Sequence, residues 1–299
     1  MNILLLGAEG QLGRELARQL SLVGTLQACT RSDVDLCHAQ NIKAAIDRHK
    51  PDIIVNSAAY TAVDRAETEK NLAYQINAEA VSVLARQAVS LGIPLIHYST
   101  DYVFDGQKSG AYIETDIPHP ISVYGASKRA GEEEIEASGA SHLIFRTTWV
   151  IGRDGDNFAK TILRLAQSRD YLNIVSDQIG VPTSSYLIAK VTSLAIKAAK
   201  DGFSWPSGIY HLVPQGKTSW YGIATALMDL ARLRRLKISL SEEGLHPILT
   251  KDYPTPAKRP LNSRFDTSKL ATRLNFTLPD WQDDFLDVAE QIIKDMHAS

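Results

Sequence analysis

The stretch Asn2–Leu20 reads NILLLGAEGQLGRELARQL, and it decides the fold. Its first part, Asn2–Gly7, is a short apolar run ending in glycine, which is typical of a strand buried on both faces of a sheet. Leu12, Leu16 and Leu20 then recur at the spacing of a helix. Strand, glycine turn and helix follow one another in the order that a dinucleotide-binding unit requires.

Three glycines, Gly7, Gly10 and Gly13, occupy the turn between this strand and this helix. Their spacing is G-x-x-G-x-x-G, which differs from the G-x-G-x-x-G of many dehydrogenases. Glycine allows a tight turn, and a pyrophosphate can then approach the helix N-terminus, where free N–H groups and the helix dipole favour negative charge. We interpret the turn as a cofactor-binding site; a purely structural turn is the alternative.

The second predicted strand, Leu26–Thr30, should end at the residue that distinguishes NAD from NADP. An acidic residue there would hydrogen-bond the 2′-hydroxyl of NAD. The chain has Thr30 and Arg31 instead, and a hydroxyl and a guanidinium suit the 2′-phosphate of NADP. We therefore expect a preference for NADPH, with NADH as the alternative, and we expect Asp35 and Leu36 near the adenine.

Strands and helices continue to alternate after this unit. Strands are predicted at Pro51–Tyr60, Pro94–Tyr98 and His142–Val150, and helices at Asn71–Gly92 and from near Tyr124. This alternation predicts an α/β fold with a Rossmann-type, doubly wound parallel sheet.

The pattern loosens beyond about residue 150. The predicted elements there are helices at Phe158–Ser168, Tyr186–Lys200 and Trp220–Leu233, with short apolar pieces at Leu172–Val175 and Ile209–Val213. We expect residues 1–150 to form the NAD(P)-binding domain and residues 151–299 to form mainly a smaller C-terminal substrate-binding lobe. The boundary is approximate, and segments after residue 150 can return to the first domain.

Composition excludes several classes of protein. The 299 residues are 44% hydrophobic and 22% charged, and a net charge of -2 gives no reason to expect nucleic acid or a membrane surface as a partner. Cys29 and Cys37 do not have the spacing of metal ligands and indicate a reduced, cytoplasmic protein. The first residues contain neither a basic leader nor a long apolar run, so we expect no signal peptide and no membrane span.

The segment Val123–Glu132 reads VYGASKRAGE, which places Tyr124 and Lys128 on one face of a helix. Such a pair is common by chance, but here Thr100 ends the preceding strand of a dinucleotide fold. Carbonyl reduction needs a hydride donor, a proton donor and a polariser of the carbonyl oxygen. A lysine ammonium favours the phenolate of a nearby tyrosine, and a threonine hydroxyl can hold the substrate oxygen. We therefore predict that Thr100, Tyr124 and Lys128 are catalytic.

Longer motifs give the chain a family resemblance. It resembles the extended short-chain dehydrogenases/reductases and, within them, the dTDP-4-dehydrorhamnose reductase family. The motifs that carry the resemblance are GAEGQLG at the start, NSAAYTAVDRAE at Asn56–Glu67, HYSTDYVFDG at His97–Gly106, FRTTWV at Phe145–Val150, NFAKTILRLA at Asn157–Ala166, VPTS at Val181–Ser184 and RPLNSRFDTSKL at Arg259–Leu270.

The resemblance implies that NADPH or NADH reduces the C4 keto group of dTDP-4-dehydro-β-L-rhamnose, in the last step of dTDP-L-rhamnose synthesis. Tyr124 would supply the proton, Lys128 would bind the nicotinamide ribose and Thr100 would assist at the carbonyl. The product would serve a surface polysaccharide such as the O-antigen of lipopolysaccharide.

The resemblance also implies binding residues. The implied cofactor contacts are Gly10, Gln11 and Leu12 at the pyrophosphate, Asp35 and Leu36 at the adenine, Ala59, Tyr60 and Thr61 in the crevice, and Tyr98. The implied sugar-nucleotide contacts are Asp101 and Trp149, and we add Lys258 and Arg259 as cations for the diphosphate.

Some members of this family form dimers around a magnesium ion held by surface carboxylates. Glu15 is present on the first predicted helix, but SSYLIAKV at Ser184–Val191 contains no acidic partner. We therefore assign no metal ligand, interpret Glu15 as a solvated residue and leave a homodimer, with or without Mg²⁺, as an open alternative.

Three other functions remain as alternatives. The chain could reduce another nucleotide-linked 4-keto-6-deoxy sugar, because pocket shape decides the sugar. It could be a non-catalytic binding protein like the regulatory subunit of methionine adenosyltransferase, although Thr100, Tyr124 and Lys128 argue for catalysis. It could be an epimerase or a dehydratase, but dehydratases have an acidic pair after the threonine, and here Asp101 is followed by Tyr102.

Overall fold

The computed structural model describes residues 1–200 and 205–298. Its strands are β1 (Asn2–Leu6), β2 (Thr25–Cys29), β3 (Ile53–Asn56), β4 (Leu95–Thr100), β5 (His142–Thr147), β6 (Val150–Ile151), β7 (Leu172–Val175), β8 (Ile179–Gly180), β9 (Thr183–Ser184), β10 (Gly208–His211), β11 (Thr218–Ser219) and β12 (Leu245–Ile248). Its helices are α1 (Gln11–Leu20), α2 (Ala39–His49), α3 (Val63–Ala66), α4 (Lys70–Tyr74), α5 (Ala80–Leu91), α6 (Val123–Ser138), α7 (Phe158–Ala166), α8 (Ser185–Lys200), α9 (Trp220–Leu233), α10 (Ser268–Leu274) and α11 (Trp281–Ala298). A π-helical segment, Gln75–Glu79, joins α4 to α5, and short 3₁₀ helices lie at Asp101–Val103 and Thr250–Asp252.

Six strands form one sheet in the order β2-β1-β3-β4-β5-β10, and all neighbours are parallel. The predicted Rossmann-type parallel sheet is confirmed. The chain runs from β1 to β2 in one direction and then places β3 on the other side of β1, so the strand order reverses between β1 and β3. An open α/β sheet binds ligands in the crevice outside the strand ends at such a reversal. This crevice lies where β1 ends in the Gly7 turn and β3 ends at Asn56.

Helices cover both faces of the sheet because successive side chains of each strand point to opposite sides. On one face, Ile3 and Leu5 pack with apolar residues of α1 and α8. On the other face, Leu4 and Leu6 pack with α2, α5 and α6. Burial on both sides explains the continuous apolar run of β1.

The second half of the chain contributes to two cores. Residues of α7, α9 and α11 form a separate apolar cluster with β7, whereas α8 and β10 pack with the main sheet. The helices predicted at Phe158–Ser168, Tyr186–Lys200 and Trp220–Leu233 are present as α7, α8 and α9. The division into domains at residue 150 stays a prediction. Within the described residues, every helix is too short or too polar to span a membrane.

Candidate active site

The glycine turn brings the end of β1 close to the segment after β3. Gly7 has φ +79°, and a Cβ added to it would lie 2.7 Å from the backbone nitrogen of Ala58. A Cβ on Gly13 would lie 2.0 Å from the carbonyl oxygen of Gly7, so α1 can approach the turn this closely only with glycine. Gly10 is the N-cap of α1 and has no side chain to cap it. The first N–H groups of α1 are therefore free of a side-chain cap, which suits a pyrophosphate.

Gln11, which the resemblance places at the pyrophosphate, also joins the two halves of the chain. Its amide nitrogen donates to the carbonyl of Val150 at 2.9 Å, and its amide oxygen accepts from Gly152 at 3.1 Å and from the Asn157 amide at 2.8 Å. Asn157 is in turn the N-cap of α7. The neighbouring Leu12 packs against the sheet core. The side chain of Gln11 thus fixes the segment after β5 to the glycine turn.

The end of β2 has a mixed charge that the sequence pattern did not reveal. Arg31 is exposed, as expected for a phosphate ligand. The carboxylate of Asp33, however, folds back onto Thr30 and accepts from its backbone N–H at 2.8 Å and from its hydroxyl at 2.7 Å. These hydrogen bonds lower the pKa of Asp33. An acidic residue therefore lies at the strand end after all, three positions later than the usual selector.

The two residues expected at the adenine lie differently. The Asp35 carboxylate accepts from the backbone N–H of Cys37 at 3.0 Å, and this hydrogen bond lowers its pKa. The side chain of Leu36 is buried in the core between the sheet and α2. The Asp35 carboxylate is thus partly exposed and able to contact a ligand, whereas the Leu36 side chain packs in the core behind it.

The segment Ala59–Thr61 follows β3 and is held by Asn77, which sequence reasoning missed. The Asn77 amide accepts from the backbone N–H of Tyr60 at 2.8 Å and donates to its carbonyl at 3.0 Å. It also donates to the Ser127 hydroxyl at 3.0 Å. Asn77 lies in the π-helical segment, and such segments are frequent at functional sites. The Tyr60 hydroxyl donates to Glu69 at 2.6 Å, while Thr61 is exposed.

Thr100, Asp101 and Tyr124 meet where β4 ends. The Thr100 hydroxyl donates to Asp101 Oδ1 at 3.0 Å and accepts from the Tyr102 backbone N–H at 3.2 Å. Burial raises the pKa of Tyr124 to about 12, with a hydrogen bond from Thr100 opposing the rise and the Asp101 carboxylate adding to it. The phenol of Tyr124 is thus a proton-bearing group beside a hydroxyl.

Asp101 connects this group to the C-terminal part of the chain. Its second carboxylate oxygen accepts a hydrogen bond from the Ser263 hydroxyl, within the RPLNSRFDTSKL motif. Burial raises the pKa of Asp101 to about 6, against the hydrogen bonds from Ser263 and Thr100. Ser263 is a second contact that residue type alone could not single out.

Lys128 lies one turn after Tyr124 on α6, and its side chain is only 2% exposed. Its Nζ donates to the carbonyl of Tyr98 at 2.6 Å and lies 3.1 Å from His97 Nε2. Burial lowers the pKa of Lys128 to about 8, with the Glu132 carboxylate opposing that shift. The Tyr98 side chain points to the other face of the sheet, where its hydroxyl hydrogen-bonds Thr192 at 2.9 Å. Tyr98 therefore contacts Lys128 through its backbone carbonyl and not through its side chain.

A cavity of about 800 Å³ lies beside α7 and the β7–β12 pair. Phe158, Trp220 and Tyr253 give it aromatic walls, and Arg259 lines it as a cation. Arg259 is paired with Asp64, Nη2 to Oδ2 at 2.8 Å. The ring of Trp149 stacks on Trp220 with centroids 4.0 Å apart. The other predicted cation, Lys258, is exposed and outside the lining of this cavity.

A second cavity, of about 820 Å³, lies between α1, α8 and α11 and is lined by Glu15 and Lys190. Neither cavity includes Thr100, Tyr124 or Lys128 in its lining. Glu15 accepts from Arg18 at 2.7 Å. Over residues 1–200 and 205–298, no cluster of three histidine, cysteine or carboxylate side chains could hold a metal. These residues give no support for a bound Mg²⁺.

A doubly wound parallel sheet, a glycine turn at its reversal point and a Thr-Tyr-Lys group at the neighbouring strand end define the class: the chain is an NAD(P)-dependent oxidoreductase of the short-chain dehydrogenase/reductase type. Comparison with known proteins narrows the class. Residues 1–294 match the family model described as the RmlD substrate binding domain. The chain is 44% identical to dTDP-4-dehydrorhamnose reductase of Shigella flexneri, over 94% of this chain and 95% of that protein.

Solved structures agree with the sequence relatives. The structure of dTDP-4-dehydrorhamnose reductase from Bacillus anthracis in complex with NADP has a TM-score of 0.87 and 32% identity, covering 96% of this chain and 98% of that one. The Clostridium acetobutylicum dTDP-4-dehydrorhamnose reductase ortholog has a TM-score of 0.87 and 34% identity, with both chains fully covered. The chain belongs to the dTDP-4-dehydrorhamnose reductase family.

Proposed function

We infer that the protein reduces the C4 keto group of dTDP-4-dehydro-β-L-rhamnose to give dTDP-β-L-rhamnose, with NADPH or NADH as the reductant. The observation that carries this inference is the grouping of Thr100, Tyr124 and Lys128 beside the cofactor crevice, in a chain 44% identical to curated reductases. The same grouping argues against a purely non-catalytic binding role.

The nicotinamide cofactor, when bound, supplies a hydride to C4 and is oxidised. Tyr124 then gives its phenolic proton to the oxygen that was the carbonyl, so that C=O becomes CH–OH. A raised pKa keeps Tyr124 protonated and ready to donate at neutral pH. Thr100 holds the same oxygen by a hydrogen bond, and Lys128 stabilises the phenolate that remains until it is protonated again by solvent.

The residues of the crevice fit a dinucleotide. Because Gly7 and Gly13 have no side chains, the backbone of the turn packs closely against its neighbours. The N-terminus of α1 thereby stays open to a pyrophosphate. Arg31 is free to face a 2′-phosphate, which supports NADPH as the preferred cofactor. The rest of the predicted contact set, Gln11, Leu12, Thr30, Asp35, Leu36, Ala59, Tyr60, Thr61 and Tyr98, lines or supports this crevice in our proposal.

We propose that the thymidine diphosphate portion of the substrate binds in the 800 Å³ cavity. Aromatic rings such as Trp220 and Phe158 can stack on a base, and Arg259 can pair with the diphosphate. Asp101 and Trp149 would contact the sugar, with Lys258 at the rim. In this arrangement residues 1–150 bind the cofactor, and residues 151–299 supply mainly the sugar-nucleotide site.

A coupled assay tests the function. dTDP-4-dehydrorhamnose is generated in situ, and oxidation of NADPH and of NADH is followed with the wild type and with Tyr124→Phe. Oxidation that the variant loses by at least a thousandfold, while it still binds NADPH, would support the reductase. Folded wild type that binds NADPH but oxidises neither cofactor would contradict it and would direct attention to other 4-keto-6-deoxy sugars.

We also propose a cellular location and an assembly for the protein. Cys29 and Cys37 are both free thiols, which supports a reducing, cytoplasmic location. A homodimer without a bridging metal is our proposal for the assembly. The product would enter a cell-surface polysaccharide such as the O-antigen of lipopolysaccharide.

A further inference from the structure

Three buried side chains form a line from the cofactor crevice to the catalytic lysine. Asn56 ends β3, His97 lies beside it on β4, and Lys128 reaches them from α6. Asn56 and His97 are each 1% exposed, and Lys128 is 2% exposed. Asn56 Nδ2 is 3.2 Å from His97 Nδ1, and His97 Nε2 is 3.1 Å from Lys128 Nζ. Each ring nitrogen of His97 thus has one polar neighbour, shielded from water.

The direction of these hydrogen bonds is set by a backbone group. The Ala58 N–H points at the Asn56 side chain at 3.2 Å. A backbone N–H can only donate, so the Asn56 atom that faces it is the amide oxygen, and the amide nitrogen faces His97. An amide nitrogen also only donates, so His97 Nδ1 is the acceptor. A neutral imidazole with an accepting Nδ1 carries its proton on Nε2.

The proton on His97 Nε2 points at Lys128. An ammonium group has three donors and no acceptor, so this N–H disfavours the charged form of the lysine. A neutral amine accepts the N–H on its lone pair, donates one hydrogen to the Tyr98 carbonyl at 2.6 Å and keeps one donor for a ligand. Burial lowers the pKa of Lys128 in the same direction.

His97 itself stays neutral. Burial holds its pKa well below the ordinary value for histidine, and the neighbouring lysine charge acts in the same sense. The imidazole is therefore a fixed donor toward Lys128 whose orientation depends on one amide, that of Asn56.

The charged groups around Lys128 do not by themselves determine its protonation state. The ionisable groups that interact electrostatically with Lys128 are Glu132, one turn later on α6, and His97 on β4. Glu132 favours the ammonium, but its carboxylate is shared between Arg146, at 2.8 and 2.7 Å, and Arg129, at 3.0 Å. Its net attraction for a third cation is thereby reduced.

We propose that His97, oriented by Asn56, is a positioning residue that sets the protonation state of Lys128. The line begins at Ala58, whose backbone nitrogen a Cβ on Gly7 would approach to 2.7 Å. The hydrogen-bond relay thus runs from Ala58, which packs against the glycine turn, through Asn56 and His97 to Lys128.

Two substitutions reverse or release the relay. In Asn56→Asp the carboxylate can still accept from Ala58, but it also accepts from His97 Nδ1, which moves the imidazole proton to Nδ1 and makes Nε2 an acceptor for the ammonium. In His97→Leu no side-chain N–H faces Lys128. Both changes are expected to raise the proton affinity of Lys128 at least tenfold.

The first measurement is the pH titration of the ¹⁵N-labelled lysine amines, in which the Lys128 signal is assigned by its loss in Lys128→Met. The midpoint is expected to move at least one pH unit higher in both variants. Asn41→Asp, on the exposed surface of α2, adds the same charge elsewhere and should leave the midpoint unchanged. An unchanged midpoint in His97→Leu, which removes the N–H without adding a charge, would overturn the proposal even if Asn56→Asp failed to fold.

The second measurement is the pH profile of kcat for the reductase, and only this one rests on the proposed function. If the ammonium form stabilises the Tyr124 phenolate, kcat falls as pH rises through the titration of Lys128, and this fall should move to higher pH in both variants. A merely structural role would lower kcat equally at every pH and would contradict the relay. If the wild type had no reductase activity, the proposed function would be contradicted. The amine titration alone would then test the relay.

Discussion

The indole rings of Trp149 and Trp220 are stacked, with centroids 4.0 Å apart and planes 24° apart. The backbone of Trp149 has φ +44°, which is rare for a bulky residue and is strained. Contacts with the surrounding structure must therefore offset this strain. Trp220 provides part of that support, since its indole nitrogen is itself fixed by a hydrogen bond to Gln178 at 3.1 Å. The strained tryptophan is thus held between the end of β5 and the aromatic cavity.

Gly180 lies directly against the Trp149 ring, and this gives the first prediction. A Cβ on Gly180 would lie 2.8 Å from the indole. Gly180→Ala should displace the ring and raise KM for the sugar nucleotide about tenfold, which corresponds to about 1.4 kcal/mol, while NADPH binding changes little. Gly110→Ala is the matched control, because the nearest atom to its Cβ would be 4.0 Å away. Equal KM values for the two variants would refute a positioned Trp149.

The buried carboxyl of Asp101 makes folding stability depend on pH. Its pKa of about 6 in the folded protein lies above the ordinary value of 3.8. Ionisation is therefore disfavoured in the fold, and the contribution of this group to stability is greatest below pH 4 and is lost as pH rises toward 6. Asp101→Asn cannot ionise and should lack that loss.

Urea unfolding at pH 4, 5, 6 and 7 measures this difference. The stability of Asp101→Asn relative to wild type should rise with pH and level off above pH 6, by about 1.4 kcal/mol for each unit of pKa difference. Ser263→Ala removes a hydrogen bond to Asp101 but leaves the carboxyl able to ionise, so it should keep the pH dependence. If the free energies of unfolding of Asp101→Asn and wild type differed by the same amount at every pH, the pKa of Asp101 would not be raised in the folded protein.

Sequence alone was sufficient for the features that depend on local spacing. The apolar run of β1, the glycine turn and the pair Tyr124 and Lys128 follow from neighbours a few residues apart, and the structure has the predicted strand, turn and helix. The short apolar piece at Ile209–Val213 was visible too, but its place at the edge of the main sheet depends on pairing with β5. The roles of the site residues stay predictions.

The features that sequence missed depend on contacts between distant segments. Asn77 reaches Tyr60 and Ser127 from a π-helical segment, and no pattern of residue types announces that geometry. His97 resembles any polar residue in a strand until Asn56 is known to be its neighbour. Asp33 was missed as well, although its contact is local: an Asp three residues after Thr30 can fold back onto the backbone, and this turn chemistry could have indicated it.

Substitutions of Gly13 and Gly10 should separate an effect on folding stability from an effect on cofactor binding. A Cβ on Gly13 would meet the Gly7 carbonyl at 2.0 Å, whereas one on Gly10 would meet it at 3.3 Å. Gly13→Ala should therefore destabilise the protein by about 1–3 kcal/mol, as overpacking does. Gly10→Ala should keep most of the stability but weaken NADPH binding at least tenfold, because Gly10 is the N-cap of α1, where we propose that the pyrophosphate binds.

Thermal unfolding and fluorescence titration with NADPH distinguish the two glycine variants. The expected pattern is a lower Tm for Gly13→Ala and a nearly normal Tm with weaker binding for Gly10→Ala. If Gly10→Ala bound NADPH as tightly as wild type, the turn would not be the pyrophosphate site.

Cofactor choice should respond in opposite directions to Arg31 and Asp33. Arg31→Ala removes the cation available to a 2′-phosphate and should lower kcat/KM for NADPH about tenfold, or about 1.4 kcal/mol, with little effect on NADH. Asp33→Asn removes a negative charge and loosens the hold on the Thr30 N–H and hydroxyl, which then become available to a phosphate. This variant should raise the NADPH to NADH ratio of kcat/KM. Arg86→Ala, an exposed arginine on α5, controls for loss of surface charge. A ratio that moves the same way in both variants, or moves equally in Arg86→Ala, would mean that neither Arg31 nor Asp33 selects the cofactor.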